Sequence, residues 1–220
     1  MKDTGLLVVV SGPAGSGKGT VNAHLLATGE YEYSVSATTR APRPGEVDGV
    51  NYHYVTREAF EQALAEDGML EHTEYCGFYY GTPRARAQSV LDAGKNLLLE
   101  IEVDGAMQIK AKCPDAVLIM LLPPSHAEQE KRLRGRATET EEKILARLKQ
   151  ARTEIEFLPR YDYVVYNMDG GAEQCAEDIR AILHAIRHPE DAAAAAQADR
   201  FATRNHPNAI RDFLGEDATV

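Results

Sequence analysis

Residues 8–20, VVVSGPAGSGKGT, join an apolar run to a glycine-rich loop that ends in Lys18 and a short Gly-Thr pair. The apolar run predicts a buried parallel strand, and the residues after the lysine are compatible with a helix. Glycines let the backbone wrap closely around a polyphosphate, so that N–H groups and a helix N-terminus point at the anion. The stretch therefore predicts a nucleotide-phosphate loop. A plain strand-to-helix turn is the alternative, and the flanking strand argues against it.

The position after the lysine departs from the usual pattern of such loops. Gly19 stands where Ser or Thr is expected, and Thr20 follows one place later. The hydroxyl that commonly binds Mg²⁺ directly is therefore missing at its usual position. The Gly-Lys-Gly-Thr form is typical of small nucleotide kinases rather than of motor or signalling NTPases. The predicted contacts to nucleotide phosphates are Gly12, Pro13, Ala14, Gly15, Ser16, Gly17, Lys18, Gly19 and Thr20.

Composition and charge narrow the class of protein. Of the 220 residues, 44% are apolar and 26% are charged, as in a globular protein long enough for a sizeable core. The net charge of −10 argues against nucleic acid as a partner, although residues 131–136 form a local basic cluster. Three widely spaced cysteines indicate neither a disulfide framework nor a zinc site. Because no signal peptide or membrane-spanning segment is recognisable, we expect a cytoplasmic protein without a membrane partner.

Strand-like and helix-like segments alternate after the loop. The segments that predict strands lie at 33–36, 96–101, 116–122 and 163–166. The amphipathic stretches lie at 104–112, 125–134 and 141–157. This alternation is typical of βαβ units. The predicted fold class is α/β, with a parallel sheet wrapped by helices as in P-loop NTPases.

Residues 37–95 have a different character. They hold several prolines and glycines and five of the ten tyrosines. Short strand-like pieces lie at 52–55 and 69–75, and a helix is predicted near 57–66. We interpret the region as a small mixed α/β insert. Ligands of α/β folds bind at the carboxyl ends of the strands, so we expect the site there.

These patterns predict how the chain is organised. Residues 1–36 and 96–187 form the core, and 37–95 form the insert. Residues 188–220 form a C-terminal tail, for which an alanine run leaves both a helix and a disordered segment open. We expect that removing most of this tail leaves catalysis intact, because every recognisable motif precedes it.

The insert concentrates groups that suit a phosphate and a polar base. Arg40 and Arg43 lie three residues apart in a proline-rigid turn, where two guanidinium groups can grip a phosphate. Glu71 and the cluster at 79–82 add a carboxylate, tyrosines and a hydroxyl. The alternative places the tyrosines in the core and the arginines on a solvated face. The coincidence of all these groups in one insert favours a binding site.

Five segments in order carry a resemblance to the guanylate kinases: SGPAGSGKGT, SVSATTRAPRPGEVDGVNY, EYCGFYYGTP, LLLEIEVDGA and KRLRGRATETEEKILARL. The resemblance runs from about residue 5 to 187. It implies transfer of the γ-phosphoryl group of ATP to GMP in purine nucleotide recycling, with Mg²⁺ accompanying ATP. It also implies a GMP-binding role for the insert.

The resemblance implies roles for the matching residues. The residues that would hold the GMP phosphate are Arg40, Arg43, Tyr52 and Tyr80. Those that would read the guanine are Ser36, Glu71 and Thr82. The catalytic residues would be Lys18, Arg40, Arg136 and Arg147. The last two would be arginines of a helical lid near residues 135–147, for which a helix that continues between them is the alternative. Asn167 would contact the adenine of ATP, although a turn asparagine at a strand end is the alternative.

Two glutamates at the end of a predicted strand resemble acidic positions of the family. Glu100 and Glu102 alternate along the chain, so both face the same side. They would act near Mg²⁺ and its waters or at the GMP site, where Glu102 is the stronger candidate. The division of roles between them stays open, and solvated edge carboxylates are the alternative.

Two other functions remain open. A guanylate-kinase-like domain of a scaffold protein binds peptides without catalysis, but such domains usually lack the intact loop found here. A related kinase could phosphorylate adenylate or a ribose bisphosphate, and Ser36, Glu71 and Thr82 argue against it. Whether the chain is a monomer, a homodimer or a higher homo-oligomer cannot be read from its sequence.

Overall fold

The computed structural model describes residues 4–135 and 140–215. Its strands are β1 (Leu7–Ser11), β2 (Tyr31–Tyr33), β3 (Ala37–Thr38), β4 (His53–Tyr54), β5 (Met69–Tyr75), β6 (Phe78–Pro83), β7 (Asn96–Glu100), β8 (Val117–Leu122) and β9 (Tyr163–Tyr166). Its helices are α1 (Lys18–Ala27), α2 (Arg57–Ala65), α3 (Arg84–Asp92), α4 (Val103–Lys112), α5 (His126–Gly135), α6 (Glu141–Ile155), α7 (Ala172–Arg187), α8 (Ala192–Asp199) and α9 (Ala209–Leu214). Short 3₁₀ helices lie at Leu158–Arg160 and Thr203–Asn205.

A five-stranded sheet has the order β2-β7-β1-β8-β9. The two outer pairs, β2 with β7 and β8 with β9, are parallel. Every residue of β1 and β8 is buried, as expected for central strands that are covered on both faces. The α/β fold class with a parallel sheet and helices is therefore confirmed.

A second, four-stranded sheet has the order β4-β3-β6-β5 and mixes parallel and antiparallel pairs. It has its own small core, in which Ala37, Phe60 and Met69 are buried together. The Thr56 side chain begins α2 by accepting a hydrogen bond from the N–H of Ala59. The mixed character of this region agrees with the sequence prediction.

One predicted strand is misplaced, and four elements, which include β3 and α7, were not predicted. The strand expected at 33–36 lies at Tyr31–Tyr33, where it pairs with β7. The reason is local: α1 ends at Ala27, and Gly29, with a φ of 76°, turns the chain at once into the strand. Strand β6 and helix α3 were missed. The sequence YYGTP of β6 was interpreted as a polar cluster, and α3 has little apolar periodicity.

The chain folds as two compact units. The first contains the described residues of Met1–Val8 and Glu30–Ala116, and the second those of Val9–Gly29 and Val117–Val220. The first unit holds the mixed sheet together with β2, β7, α3 and α4. The second holds the glycine-rich loop, α1 and everything from β8 onward.

The chain beyond α7 is folded as far as residue 215. The Asp191 side chain caps α8 by accepting hydrogen bonds from the N–H groups of Ala193 and Ala194, each at 3.0 Å. Ala198 of α8 and Phe213 of α9 are buried. Of the two possibilities left open for the tail, the structure shows helices. Within the described residues, no helix is both long and apolar enough to span a membrane.

Candidate active site

The glycine-rich loop connects β1 to the first turn of α1. Gly12, Gly15 and Gly17 all have positive φ angles, which fold residues 12–17 into a tight loop ahead of the helix N-terminus. The ammonium group of Lys18 turns back over this loop and donates hydrogen bonds to the carbonyl oxygens of Gly12 and Pro13. A loop of this shape ahead of a helix N-terminus can place backbone N–H groups around a phosphate, and the predicted contacts of its residues with nucleotide phosphates stay a prediction.

Asn167 lies directly against this loop. Its side-chain amide donates a hydrogen bond of 2.8 Å to the carbonyl of Ser16, and its own N–H donates to Leu122 at 2.7 Å. A Cβ atom at Gly17 would come within 2.3 Å of the Asn167 amide nitrogen, so only glycine fits there. Asn167 is 6% exposed. Its position supports a role in holding the loop, while its predicted contact with adenine stays a prediction.

Helix α5 supplies two further contacts that sequence reasoning missed. The amide of Gln129, a fully buried side chain, donates a hydrogen bond of 2.8 Å to the carbonyl of Ala14. Arg132, one turn later, donates to the carbonyl of Asn167 at 2.9 Å. The signal in the sequence is the spacing of Gln129, which lies four residues before Leu133 and therefore on the same face of α5, the face that the structure shows to be buried. A polar residue in that place implies a buried hydrogen-bond partner.

The hydroxyl groups of the loop differ in exposure. Ser16 is fully buried, and its Oγ has no hydrogen-bond partner among the described residues. Gly19 and Thr20 are exposed on the first turn of α1. The Thr20 hydroxyl is therefore accessible to a ligand, whereas the Ser16 hydroxyl is not.

In the first unit, Glu71 and Thr82 form a buried pair across strands β5 and β6. The Thr82 hydroxyl donates a hydrogen bond of 2.8 Å to Oε1 of Glu71. Glu71 is 4% exposed and Thr82 is fully buried. Oε2 of Glu71 lies against Gly105 in the first turn of α4, where a Cβ atom would come within 2.9 Å of it. Glycine at this position leaves room for the carboxylate.

Burial raises the pKa of Glu71, because the charged carboxylate loses contact with water. The hydroxyl and the backbone N–H of Thr82 oppose this effect without cancelling it. The carboxylate is thus short of hydrogen-bond donors in the protein alone. A ligand that brings N–H donors to it would gain strong charge-assisted hydrogen bonds.

This shift predicts a change in stability for Glu71→Gln. Because the folded state binds the Glu71 proton more tightly than the unfolded state, the ionised carboxylate lowers stability above its folded-state pKa. We expect the amide to raise the melting temperature near neutral pH by a few degrees. The gain should shrink as the pH falls through that pKa and vanish below the usual range of a glutamate.

Thermal unfolding over a pH series measures this difference. Glu74→Gln, on the exposed part of the same strand, is the control and should show no comparable gain. A Glu71→Gln protein that is less stable than the wild type at neutral pH would contradict the assigned cause.

A second cluster in this unit surrounds Glu46. Arg40 forms an ion pair with Oε1 of Glu46 at 3.0 Å, and the Tyr54 hydroxyl donates to Oε2 at 2.8 Å. These contacts hold the pKa of Glu46 at about 2, chiefly through Arg40. The Arg40 guanidinium also lies 5.5 Å from the centre of the Tyr52 ring, which packs edge-on against Tyr80. The structure thus brings together three of the four residues predicted to hold the acceptor phosphate.

The remaining predicted residues of the insert lie close to this cluster in sequence. The Arg43 side chain is exposed, and its backbone N–H donates to Glu46 at 2.7 Å. Ser36 is half-buried just before β3, and its carbonyl accepts a hydrogen bond from His53. Sequence reasoning missed the roles of Glu46 and Tyr54. An acidic residue six positions after Arg40 in the same turn was the available signal.

Glu100 and Glu102 lie between β7 and α4. Glu100 ends the strand and is half-buried, whereas Glu102 precedes the first residue of the helix and is exposed. The pKa of Tyr33 is raised to about 12, chiefly because the phenol is buried and to a smaller extent because of its electrostatic interaction with Glu100. No group of three or more His, Cys, Asp or Glu side chains within residues 4–135 and 140–215 could hold a metal ion.

Of the two arginines expected in a lid, the structure describes only one. Arg147 lies on α6 and is exposed. Arg136 lies outside the described residues, and so does most of the link between α5 and α6. The convergence of these two arginines stays a prediction.

Comparisons with known proteins give one family. A family model described as guanylate kinase matches residues 4–186. A guanylate kinase of Halalkalibacterium halodurans is 50% identical over 185 residues, covering 84% of this chain and 90% of that protein. One from Lactococcus lactis is 47% identical over 192 residues, covering 87% and 93%. The crystal structure of guanylate kinase from Anaplasma phagocytophilum matches with a TM-score of 0.66 and 35% identity, covering 84% of this chain and 88% of that chain.

Proposed function

Because the chain belongs to the guanylate kinase family, we propose that it transfers the γ-phosphoryl group of ATP to GMP, with Glu71 and Thr82 reading the guanine. The products are GDP and ADP. The observation that carries this assignment of the acceptor is the buried carboxylate of Glu71, whose hydrogen-bond donors among the described residues come from Thr82. A second support is the loop at residues 12–20, folded ahead of the α1 N-terminus.

The Glu71 carboxylate distinguishes guanine from adenine by charge. Guanine presents two donors side by side, the N1–H and the 2-amino group, and one carboxylate can accept both hydrogen bonds. Adenine presents a lone pair at N1, which the carboxylate repels. A buried polar group that is left unpaired by the wrong ligand gives large discrimination. The Thr82 hydroxyl, held by Oε1, fixes the orientation of the carboxylate. Ser36 is the third proposed guanine contact, and Glu102 lies in the proposed GMP site or near Mg²⁺.

The cluster around Glu46 is the proposed grip on the GMP phosphate. The ion pair between Arg40 and Glu46 holds the Arg40 guanidinium close to Tyr52 and Tyr80 before any ligand binds. Pre-ordering of a long side chain lowers the entropic cost of binding. Arg43, which is exposed, adds a second positive charge.

The loop and Lys18 are the proposed site for the ATP phosphates. Backbone N–H groups of the loop and of the α1 N-terminus can bind an anion without any rearrangement of the backbone. The Lys18 ammonium, which rests on carbonyl oxygens of the loop, would turn to the β- and γ-phosphates. The Thr20 hydroxyl is exposed beside them.

Mg²⁺, when bound with ATP, neutralises charge on the phosphates and orients them. Glu100 and Glu102 are the carboxylates that we propose to contact the metal or its waters. Since Mg²⁺ keeps several waters and binds through few carboxylates, this pair suits it.

The transfer needs alignment and charge neutralisation rather than a base. The GMP phosphate is already a nucleophile, so no proton has to be removed from it before attack. Negative charge spreads over the oxygens of the transferring group in the transition state. Lys18 and the lid arginines, Arg136 and Arg147, are the proposed cations that stabilise it.

Arg147→Ala should therefore act mainly on the rate of transfer. We expect kcat to fall by about 10²-fold, while the KM values for ATP and GMP change only a few-fold. Steady-state kinetics with each substrate varied in turn measures both. Arg152→Ala, an exposed arginine of the same helix, is the control. A variant that raises KM with an unchanged kcat would remove Arg147 from the catalytic set.

Product analysis tests the proposed function itself. Chromatography of a mixture of the protein, Mg²⁺, ATP and GMP should show ADP and GDP formed in equal amounts. Omitting GMP should abolish ADP formation. A catalytically inactive peptide-binding domain would form neither product, and that result would overturn the proposal.

A further inference from the structure

The C-terminal segment, residues 188–215, lies outside the stretch that the family model matches, which ends at residue 186. It is nevertheless packed into the second unit. Helix α8 packs against α7, and Phe213 of α9 is 1% exposed. An aromatic ring buried to this degree contributes strongly to packing. The segment is therefore part of the folded unit rather than an appendage to it.

One part of this segment pairs with the free edge of β9, which is an end strand of the five-stranded sheet. The N–H of Val164 donates a hydrogen bond of 2.8 Å to Phe201, and the N–H of Thr203 donates to Asp162 at 3.0 Å. Tyr163 and Ala202 form an antiparallel bridge. These contacts satisfy backbone groups that a strand at a sheet edge otherwise leaves open.

Another part contacts the start of α5. The Phe213 ring packs edge-on against His126, with ring centres 5.9 Å apart. His126 is the first residue of α5, and Gln129 lies three residues further along the same helix. The segment thus touches α5 beside the residue that holds the Ala14 carbonyl.

Both contacted elements position residues that hydrogen-bond the phosphate loop. Strand β9 leads directly into Asn167, whose amide holds the Ser16 carbonyl. Helix α5 carries Gln129, which holds Ala14, and Arg132, which holds the Asn167 carbonyl. Chains of packed side chains and hydrogen bonds of this kind carry energetic coupling between distant positions.

We propose that the C-terminal segment positions the phosphate loop for ATP, through β9 and Asn167 on one side and through α5 and Gln129 on the other. The proposal rests on the proposed function of the loop as the ATP site. It replaces the expectation that the tail can be removed without loss. Phe213 is a positioning residue in this proposal, since it acts on the loop through His126 and α5.

The test uses the full-length chain with Phe213→Ala. We expect the Kd for the ATP analogue AMP-PNP with Mg²⁺, measured by calorimetry, to rise about tenfold, the change that the loss of one net hydrogen bond produces. The Kd for GMP should stay unchanged. Arg211→Ala, on the exposed side of the same helix, should change neither value, and Phe213→Leu should recover most of the AMP-PNP affinity.

A purely structural role has a different signature. In that case Phe213→Ala would lower the melting temperature but leave the Kd for AMP-PNP unchanged at temperatures where the protein is folded, and the proposal would be overturned. If Phe213→Ala does not fold, His206→Ala replaces it, because the His206 ring packs against Tyr166 immediately before Asn167. An unchanged Kd in that folded variant would equally overturn the proposal. A wild-type protein that binds AMP-PNP but transfers no phosphate to GMP would contradict the proposed function instead.

Discussion

Lys18→Ala is expected to lower kcat for phosphate transfer by about 10³-fold. The ammonium is the only side-chain charge contributed by the loop of residues 12–20, and it lies over the loop through its hydrogen bond to Gly12. Without it, charge that develops on the transferring group loses a close cation. The KM for ATP should rise as well, because the ground-state phosphates lose the same contact.

The affinity for GMP separates this effect from general damage. Calorimetry should show the same Kd for GMP in Lys18→Ala as in the wild type, since the proposed GMP contacts all belong to the other unit. Lys149→Ala, an exposed lysine on α6, serves as the matched control and should keep full activity. Retention of more than about a tenth of the wild-type kcat in Lys18→Ala would contradict the assigned role of the loop.

Glu71→Gln is expected to lower kcat/KM for GMP by about 10²-fold or more, with little change in the KM for ATP. The amide keeps one acceptor oxygen but replaces the other with an NH₂ group, which opposes a donor of guanine instead of accepting from it. The discrimination against AMP should fall at the same time, because the repulsive charge is gone.

Glu74→Gln tests whether any loss of charge on β5 produces this result. Glu74 lies on the same strand but is exposed, so its amide variant should phosphorylate GMP at the wild-type rate. An equal loss of ATP and GMP affinity in Glu71→Gln would indicate a disturbed fold and would count against base reading by Glu71.

The core of the fold could be predicted because its signals are local. Strands β1, β7 and β8 each contain an uninterrupted apolar run of three or more residues, and the glycine-rich loop follows β1 directly. The insert was harder, since β3 and β4 have only two residues each and their pairing depends on distant partners. Strand β6 is stabilised by pairing with β5, which no short sequence pattern indicates.

In the candidate site, too, local signals could be predicted from the sequence and long-range contacts could not. Residues of the loop and the insert arginines could be recognised from the spacing within one short stretch. The contact of Asn167 with Ser16 joins positions 151 residues apart, and that of Gln129 with Ala14 joins positions 115 apart. Such contacts exist only after the second unit has folded. The packing of Phe213 on His126 could not be predicted for the same reason, although both residues are ordinary in their local sequence.

The acceptor preference of the wild-type protein is the most direct test of the central claim that Glu71 and Thr82 select guanine. A coupled assay would compare GMP, AMP and ribose 1,5-bisphosphate as acceptors at the same concentrations of ATP and Mg²⁺. We predict that kcat/KM for GMP exceeds that for AMP by about 10⁴-fold, and that ribose 1,5-bisphosphate is not phosphorylated. Phosphorylation of AMP or of ribose 1,5-bisphosphate as efficiently as GMP would contradict the claim.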